Sequence, residues 1–184
     1  MELYSDTYYI HRIQKGDTAC FACLLDKYSH SVFSLIFKVI QNREDAEELT
    51  QDVFIKVFKH LSSFNGTCSF STWLYRIAYN TAISETRKKK RELLPINDDL
   101  INHISEKEVE EMLGRADNAT QLEMLEKALA QLSTEERALV FLFYKEEKTI
   151  EEISSISELT KSNVKTKLFR IRKKLFVLLK EMEG

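Results

Sequence analysis

The chain is poor in the residues that break or reverse helices. Its 184 residues include four glycines and a single proline, Pro95. Sheet proteins need turn chemistry at every hairpin, so this scarcity points to a helical chain with few sharp turns. Cysteine is scarce as well, and Cys20, Cys23 and Cys68 make an odd number. The opening stretch MELYSDTYYIHRIQKGD lacks the basic-then-apolar layout of a secretion signal, so reduced thiols and a cytoplasmic location are expected. Cys20-Phe21-Ala22-Cys23 has C-x-x-C spacing but lies inside a helical pattern with no second pair. His11 and His30 are the nearest residues that could complete a zinc site, so small core thiols are the default and neither a metal nor a cofactor is expected. No apolar run approaches the ~20 residues of a membrane span. No P-loop glycine pattern exists, and no histidine or cysteine is placed beside an obvious nucleophile or base partner, so a non-enzyme is expected.

What the chain does have is charge, and the charge is segregated. The formal net charge of -2 conceals it. Residues 61–91 hold six basic and one acidic side chain, net +5, and residues 160–184 hold eight and two, net +6. Between them, residues 92–136 hold three basic and twelve acidic side chains, net -9. Two basic zones separated by an acidic stretch suggest two nucleic-acid-facing surfaces joined by a segment that avoids nucleic acid.

Residues 42–91 organise the rest. Ala46, Leu49, Val53, Phe54, Val57, Phe58 and Leu61 form one apolar helical stripe. Asn42 is placed to cap that helix, with Glu44 and Asp45 in a first turn that favours negative charge. Asp45, Glu48, Gln51, Asp52 and Lys56 remain on the polar face. The loop 63–69 follows, with Gly66 permitting a turn and Ser69 or Ser71 free to cap the next helix. That helix, over 70–90, carries Trp73, Tyr75, Arg76, Tyr79 and Asn80 and runs into Arg87-Lys88-Lys89-Lys90-Arg91. Aromatics beside amides and cations suit an unstacked nucleic-acid strand, because rings stack on bases and cations neutralise phosphates. A packed core with a solvated basic helix end is the alternative on spacing alone.

Upstream, a short helix over 3–15 and a long one over about 18–41, capped by Asp17, complete a first helical bundle. The long helix buries Phe21, Leu24, Leu25, Tyr28, Val32, Leu35, Ile36, Val39 and Ile40. Residues 92–118 read as an acidic flexible linker. From 119 the helical pattern returns, with Leu122, Leu125, Ala128, Leu129 and Leu132 on one stripe. Ser133-x-x-Glu136 and Thr149-x-x-Glu152 are capping boxes that open two helices. A turn at Ser157-Glu158-Leu159 and a cap at Thr160 then start a last helix over 161–180. Short helix, turn and basic helix make a helix-turn-helix. Val164, Leu168, Ile171 and Leu175 face its core. Lys161, Ser162, Asn163, Lys165 and Thr166 lie where such helices meet base edges, and Lys167, Arg170, Arg172, Lys173 and Lys174 where phosphates are held.

The string DAEELTQDVFIKVF at 45–58, followed by F-x-G-x-x-x-F-x-T-W-L-Y-R-I-A-x-N-x-A at 64–82, closely resembles bacterial RNA polymerase sigma factors, nearest the extracytoplasmic-function group. Residues 121–180 resemble the second conserved region of that family. Glu158 stands where a glycine is usual, Ser154 where a small apolar residue is, and Ile171 where alanine is common. The resemblance implies an all-α fold of two small helical domains, 1–91 and 119–184, joined by the linker 92–118. It implies that Asp45, Glu48, Gln51, Asp52 and Lys56 dock on the clamp helices of the largest polymerase subunit, with the flap as a second polymerase contact. Phe64, Asn65, Gly66, Thr67, Phe70, Thr72, Trp73, Arg76, Asn80 and Arg87 would recognise the minus-10 element and hold a flipped base. Lys161, Ser162, Asn163, Lys165, Thr166, Lys167 and Arg170 would read the minus-35 element. Promoter DNA and an anti-sigma protein are the further partners implied. An autonomous helix-turn-helix regulator and a helical adaptor that binds only protein are the competing readings. The acidic linker is also expected to let the free domains fold back and mask their basic surfaces.

Overall fold

A computed structural model describes residues 4–88, 104, 105, 107, 109 and 119–183. All regular structure among them is helical. The expected linker 92–118 and the end of the basic run, 89–91, fall almost wholly outside the described residues.

Helix α1, Asp6–Gln14, begins where the Ser5 hydroxyl accepts the Tyr8 N–H at 3.3 Å. Asp17 does not cap the long helix as expected. It heads a single 3-10 turn, Thr18–Cys20, without a side-chain cap bond. Its carboxylate is taken by Arg12, whose Nε and Nη2 donate at 3.0 and 2.5 Å. Helix α2, Phe21–Ile40, ends at Gln41, which adopts φ 57° and returns its N–H to the Phe37 carbonyl at 2.8 Å. The chain can therefore reverse within two residues. Asn42 then caps α3, Arg43–His60, by accepting the Asp45 N–H at 3.0 Å. Ser69 rather than Ser71 caps α4, Phe70–Lys88, accepting the Thr72 N–H at 3.2 Å. Helices α2, α3 and α4 pack mutually around Leu24, Leu35, Ile36, Val53, Val57, Leu74 and Ala78.

Two residues expected in that core are open. Leu25 is 38% and Phe58 43% exposed, because both line an apolar groove between α2 and α3 together with Phe21, Phe54 and Ile55.

The second half comprises α5 (Ala119–Ala130), α6 (Thr134–Val140), α7 (Ile150–Ser157) and α8 (Lys161–Glu183). Both capping boxes form, with side chain and backbone bonded reciprocally at Ser133/Glu136 and Thr149/Glu152. Helix α6 continues into a π turn, Phe141–Lys145, that periodicity did not signal. Leu122 is 57% exposed. At 100° per residue it lies about 120° around α5 from buried Ala128, outside an apolar face roughly 100° wide.

The halves do not stand apart. Helix α7 packs on α4 and α6 on α2. Arg137, 6% exposed, joins them: its Nε and Nη2 donate to the Lys38 and Val39 carbonyls at 2.6 and 3.0 Å. Its Nη1 donates to Leu132 and Ala130 carbonyls at 2.5 and 3.3 Å. Carbonyls at a helix C-terminus carry partial negative charge and lack intrahelical partners, so a buried guanidinium satisfies both needs.

Candidate nucleic-acid interface

The loop after α3 is built from a short turn and an aromatic cluster. The Gln14 side-chain amide donates to Leu61 and Phe64 carbonyls at 3.0 and 3.1 Å, fixing α1 to the base of the loop. Asn65 accepts the Thr67 N–H at 3.3 Å across Gly66, whose φ of 73° suits glycine. Asn65, Gly66 and Thr67 are exposed. Phe64 and Phe70 meet edge-on with centroids 5.9 Å apart, Trp73 lies tilted against both at 5.2 and 5.9 Å, and Tyr28 meets Phe70 edge-on at 5.6 Å. Phe70 is buried and supports the loop from beneath, whereas Phe64 and Trp73 are half-buried and keep an open edge.

Along α4 the expected contact residues divide. Arg76, Asn80 and Arg87 are exposed. Thr72 is 2% exposed and its hydroxyl donates to Glu152 of α7 at 3.1 Å, so in this arrangement it faces protein. Arg76 donates to Glu158 at 2.8 Å, and Arg87 lies 3.8 Å from Glu135. Tyr75, immediately before Arg76, is buried and donates to the Glu146 carboxylate. Burial, reinforced by that carboxylate, pushes the Tyr75 phenol well above its usual range; burial and Glu135 push Tyr79 to about 12.

On α3, Glu48, Gln51, Asp52 and Lys56 are exposed and Asp45 half-buried, all on the polar side. Lys56 donates to Thr81 of α4 at 3.2 Å. Gln51 also borders the apolar groove beside Phe54 and Ile55.

On α8, Lys161, Ser162, Asn163, Lys165, Thr166 and Arg170 are exposed and Lys167 is half-buried, while Val164, Leu168, Ile171 and Leu175 are buried. Thr160 caps the helix by accepting the Asn163 N–H at 3.2 Å. Glu158 adopts φ 61°, so the turn keeps the left-handed geometry that glycine usually supplies. Ser154 donates its hydroxyl to the Leu159 carbonyl at 2.6 Å, which closes that turn and accounts for a polar residue there. Lys174 is not a free phosphate ligand: its ammonium donates to Glu136 at 2.6 Å in a half-buried pair. Burial alone would raise the Glu136 carboxyl, but Lys174 and the Ser133 N–H hold it below its usual value.

Sequence reasoning missed Arg137, Tyr75 with Glu146, and Lys148, whose ammonium reaches Ser71 Oγ at 2.7 Å and Glu152 at 3.4 Å. No local pattern marks them; each is defined by a partner in the other half.

These features define a class: a helical protein that offers an exposed loop with basic and aromatic flanks in one half and a helix-turn-helix in the other. Two family models match it, Sigma-70 region 2 over residues 24–92 and Sigma-70 region 4 over 122–175, together about two thirds of the chain. The chain belongs to the sigma-70 family of bacterial RNA polymerase sigma factors, in its extracytoplasmic-function group. It is similar to the ECF RNA polymerase sigma factor SigW of Bacillus subtilis, 29% identical over 180 residues that cover 94% of this chain and 96% of that one. The ECF RNA polymerase sigma-E factor of Escherichia coli is 42% identical over 81 residues, 44% of this chain and 42% of that one. Two solved structures share the fold. CnrH, in complex with the cytosolic domain of CnrY, has a TM-score of 0.67 at 19% identity, covering 96% of this chain and 97% of that one. The sigma factor RpoE from Bartonella quintana, in complex with the anti-sigma factor NepR, has 0.64 at 22%, covering 87% and 96%.

Proposed function

We propose that this chain binds core RNA polymerase, directs it to promoters through both halves, and is held inactive by a separate anti-sigma protein. One observation carries the reading: a single chain presents an exposed Asn65-Gly66-Thr67 turn on an aromatic base and an exposed recognition-helix end. A reader of duplex alone has no need of the first.

In this reading Asp45, Glu48, Gln51, Asp52 and Lys56 meet the clamp helices of the largest subunit, and the flap is a second polymerase contact. Asn65, Gly66 and Thr67 receive a base turned out of the minus-10 element, with Phe64 and Trp73 stacking beside it. Phe70 shapes that pocket from below. Arg76, Asn80 and Arg87 follow the adjoining strand, and Thr72 joins them once α7 has left. Lys161, Ser162, Asn163, Lys165 and Thr166 read minus-35 base edges from the N-terminal end of α8, while Lys167 and Arg170 hold phosphates. The groove between α2 and α3, bordered by Gln51, offers an apolar surface for the controlling protein.

Co-purification with core polymerase, followed by transcription of a promoter library with and without the protein, tests this. Binding to core with new, motif-sharing start sites supports the reading. A protein that ignores core yet shifts duplex DNA is an autonomous regulator, and the role given to 64–80 is then wrong.

A further inference from the structure

The turn assigned to the flipped base is held by a residue outside it, the last of α1. The Gln14 side-chain nitrogen donates to the Leu61 carbonyl at 3.0 Å and to the Phe64 carbonyl at 3.1 Å. Carbonyls accept only from donors, so both N–H groups of that one amide are engaged here. The Leu61 carbonyl also takes the Phe64 N–H at 3.2 Å. These bonds gather just before Asn65, and the one to Phe64 sets the plane of the peptide that enters it. A peptide plane is rigid and shared by the two residues it joins, so holding it constrains how the chain continues. Asn65 then makes the turn by accepting the Thr67 N–H across Gly66.

Gln14 can serve as a fixed point because its own helix is closed and anchored. Gly16, at φ 103°, ends α1 two residues later. The Gly16 N–H returns to the Ile13 carbonyl at 2.9 Å and the Asp17 N–H to the Arg12 carbonyl at 3.0 Å, the paired bonds of a Schellman motif. The Arg12 guanidinium grips the Asp17 carboxylate across the same turn. At the other end of α1, Asp6 accepts the Lys27 ammonium and the Tyr28 hydroxyl, both at 2.6 Å. The Tyr28 ring meets Phe70, which in turn meets Phe64 and Trp73. Helix α1 thus reaches the loop both at its backbone entry and beneath its aromatic base. Gln14 is itself exposed, so its amide serves the loop and not the core.

We propose that Gln14 is a positioning residue for base selection: without touching DNA, it holds the Phe64–Asn65 peptide where the turned-out minus-10 base is read. This rests on the promoter-reading function above. A pocket that reads a base by hydrogen bonds rejects the others only while its donors and acceptors keep their places. Released at its entry, the turn offers the same groups at shifting distances, and the favoured base loses its advantage. Attachment to polymerase and to the minus-35 duplex is untouched, because those surfaces lie on α3 and α8.

Two variants separate this role from packing and from charge. Gln14→Glu keeps the shape but has no donor and sets a carboxylate against two carbonyls, whereas Gln14→Lys brings an ammonium that can donate to both. They change the charge in opposite directions, and a uniform electrostatic effect moves all four bases together. The probe is the strongest promoter recovered from the library with the wild-type chain, remade with each of the four bases at every minus-10 position. Open complexes with core polymerase that survive a heparin challenge are counted. The readout is the ratio of the favoured base to the next at the most selective position.

Gln14→Glu should lower that ratio about fivefold, the effect of losing about one hydrogen bond, and Gln14→Lys should keep it within about twofold of wild type. Affinity for core polymerase and for the minus-35 duplex should change less than about twofold in both. An unchanged ratio in Gln14→Glu overturns the proposal. So does an equal loss in Gln14→Lys, or a Gln14→Glu defect shared by core binding, which marks a merely structural role. A wild-type chain that fails to program core polymerase sinks the function reading and this inference with it. One that programs core polymerase and keeps its ratio in Gln14→Glu sinks this inference alone.

Discussion

Arg137 carries a full charge at 6% exposure, and its fork spends that charge on carbonyls of Lys38, Val39, Ala130 and Leu132. Removing it strands acceptors that water reaches poorly. Arg137→Ala should lower the unfolding free energy by about 3 kcal/mol, read from urea midpoints, and Arg137→Lys should recover only part because an ammonium cannot span all four. At Gln41 a substitution acts in the opposite sense. A side chain there tolerates φ 57° only at a steric cost that glycine does not meet. Gln41→Gly should stabilise by about 1 kcal/mol, raising Tm by about 2–4 °C in calorimetry.

Among the elements, α6 and α7 are short, so their ends matter in proportion. Ser133 and Thr149 each accept an N–H of the following turn at 3.2 Å. Ser133→Ala and Thr149→Ala should each cost about 1 kcal/mol in chemical denaturation, while Ser133→Asn should retain most of the cap. The reciprocal partners set a pH response. Burial alone would raise Glu152, but the Thr149 N–H, Lys148 and Thr72 hold it low, as Lys174 and Ser133 hold Glu136. A carboxyl whose folded value lies below its ordinary 4.5 adds stability that is present above 4.5. That stability is lost as pH falls through the lower folded value. The urea midpoint should therefore drop on acidification below 4.5, and Glu136→Gln should flatten the drop.

For the whole molecule, basic residues differ in how far they are already committed. Lys165 is exposed at the end of α8 that faces outward, whereas the Lys174 ammonium is held by Glu136. Binding that releases counterions weakens with salt in proportion to the phosphates engaged. Lys165→Ala should lower the slope of log affinity against log salt for a minus-35 duplex by about 1, and Lys174→Ala should leave it nearly unchanged. Equal slopes for the two variants would remove the distinction drawn between them.

Most of the helices were legible from residue order alone, because their signals lie within a few residues. Asn42, Ser133, Thr149 and Thr160 announce helix starts through bonds spanning three residues. Apolar spacing set the faces of α2, α3 and α8, and the strings at 45–58 and 64–82 carried the family resemblance. Asp17 misled because Arg12, outside the helix it was to cap, took its carboxylate. Leu122 misled because spacing locates a stripe without fixing its width. Tertiary structure alone decided that the halves pack together, that Thr72 and Phe70 are covered, and that Lys174 is spoken for. Those outcomes depend on partners far away in the chain: Arg137 reaches back 99 residues to Lys38, and Thr72 forward 80 to Glu152. A cap or stripe repeats at helical spacing and can be read locally. A pair formed when two surfaces meet leaves no such period.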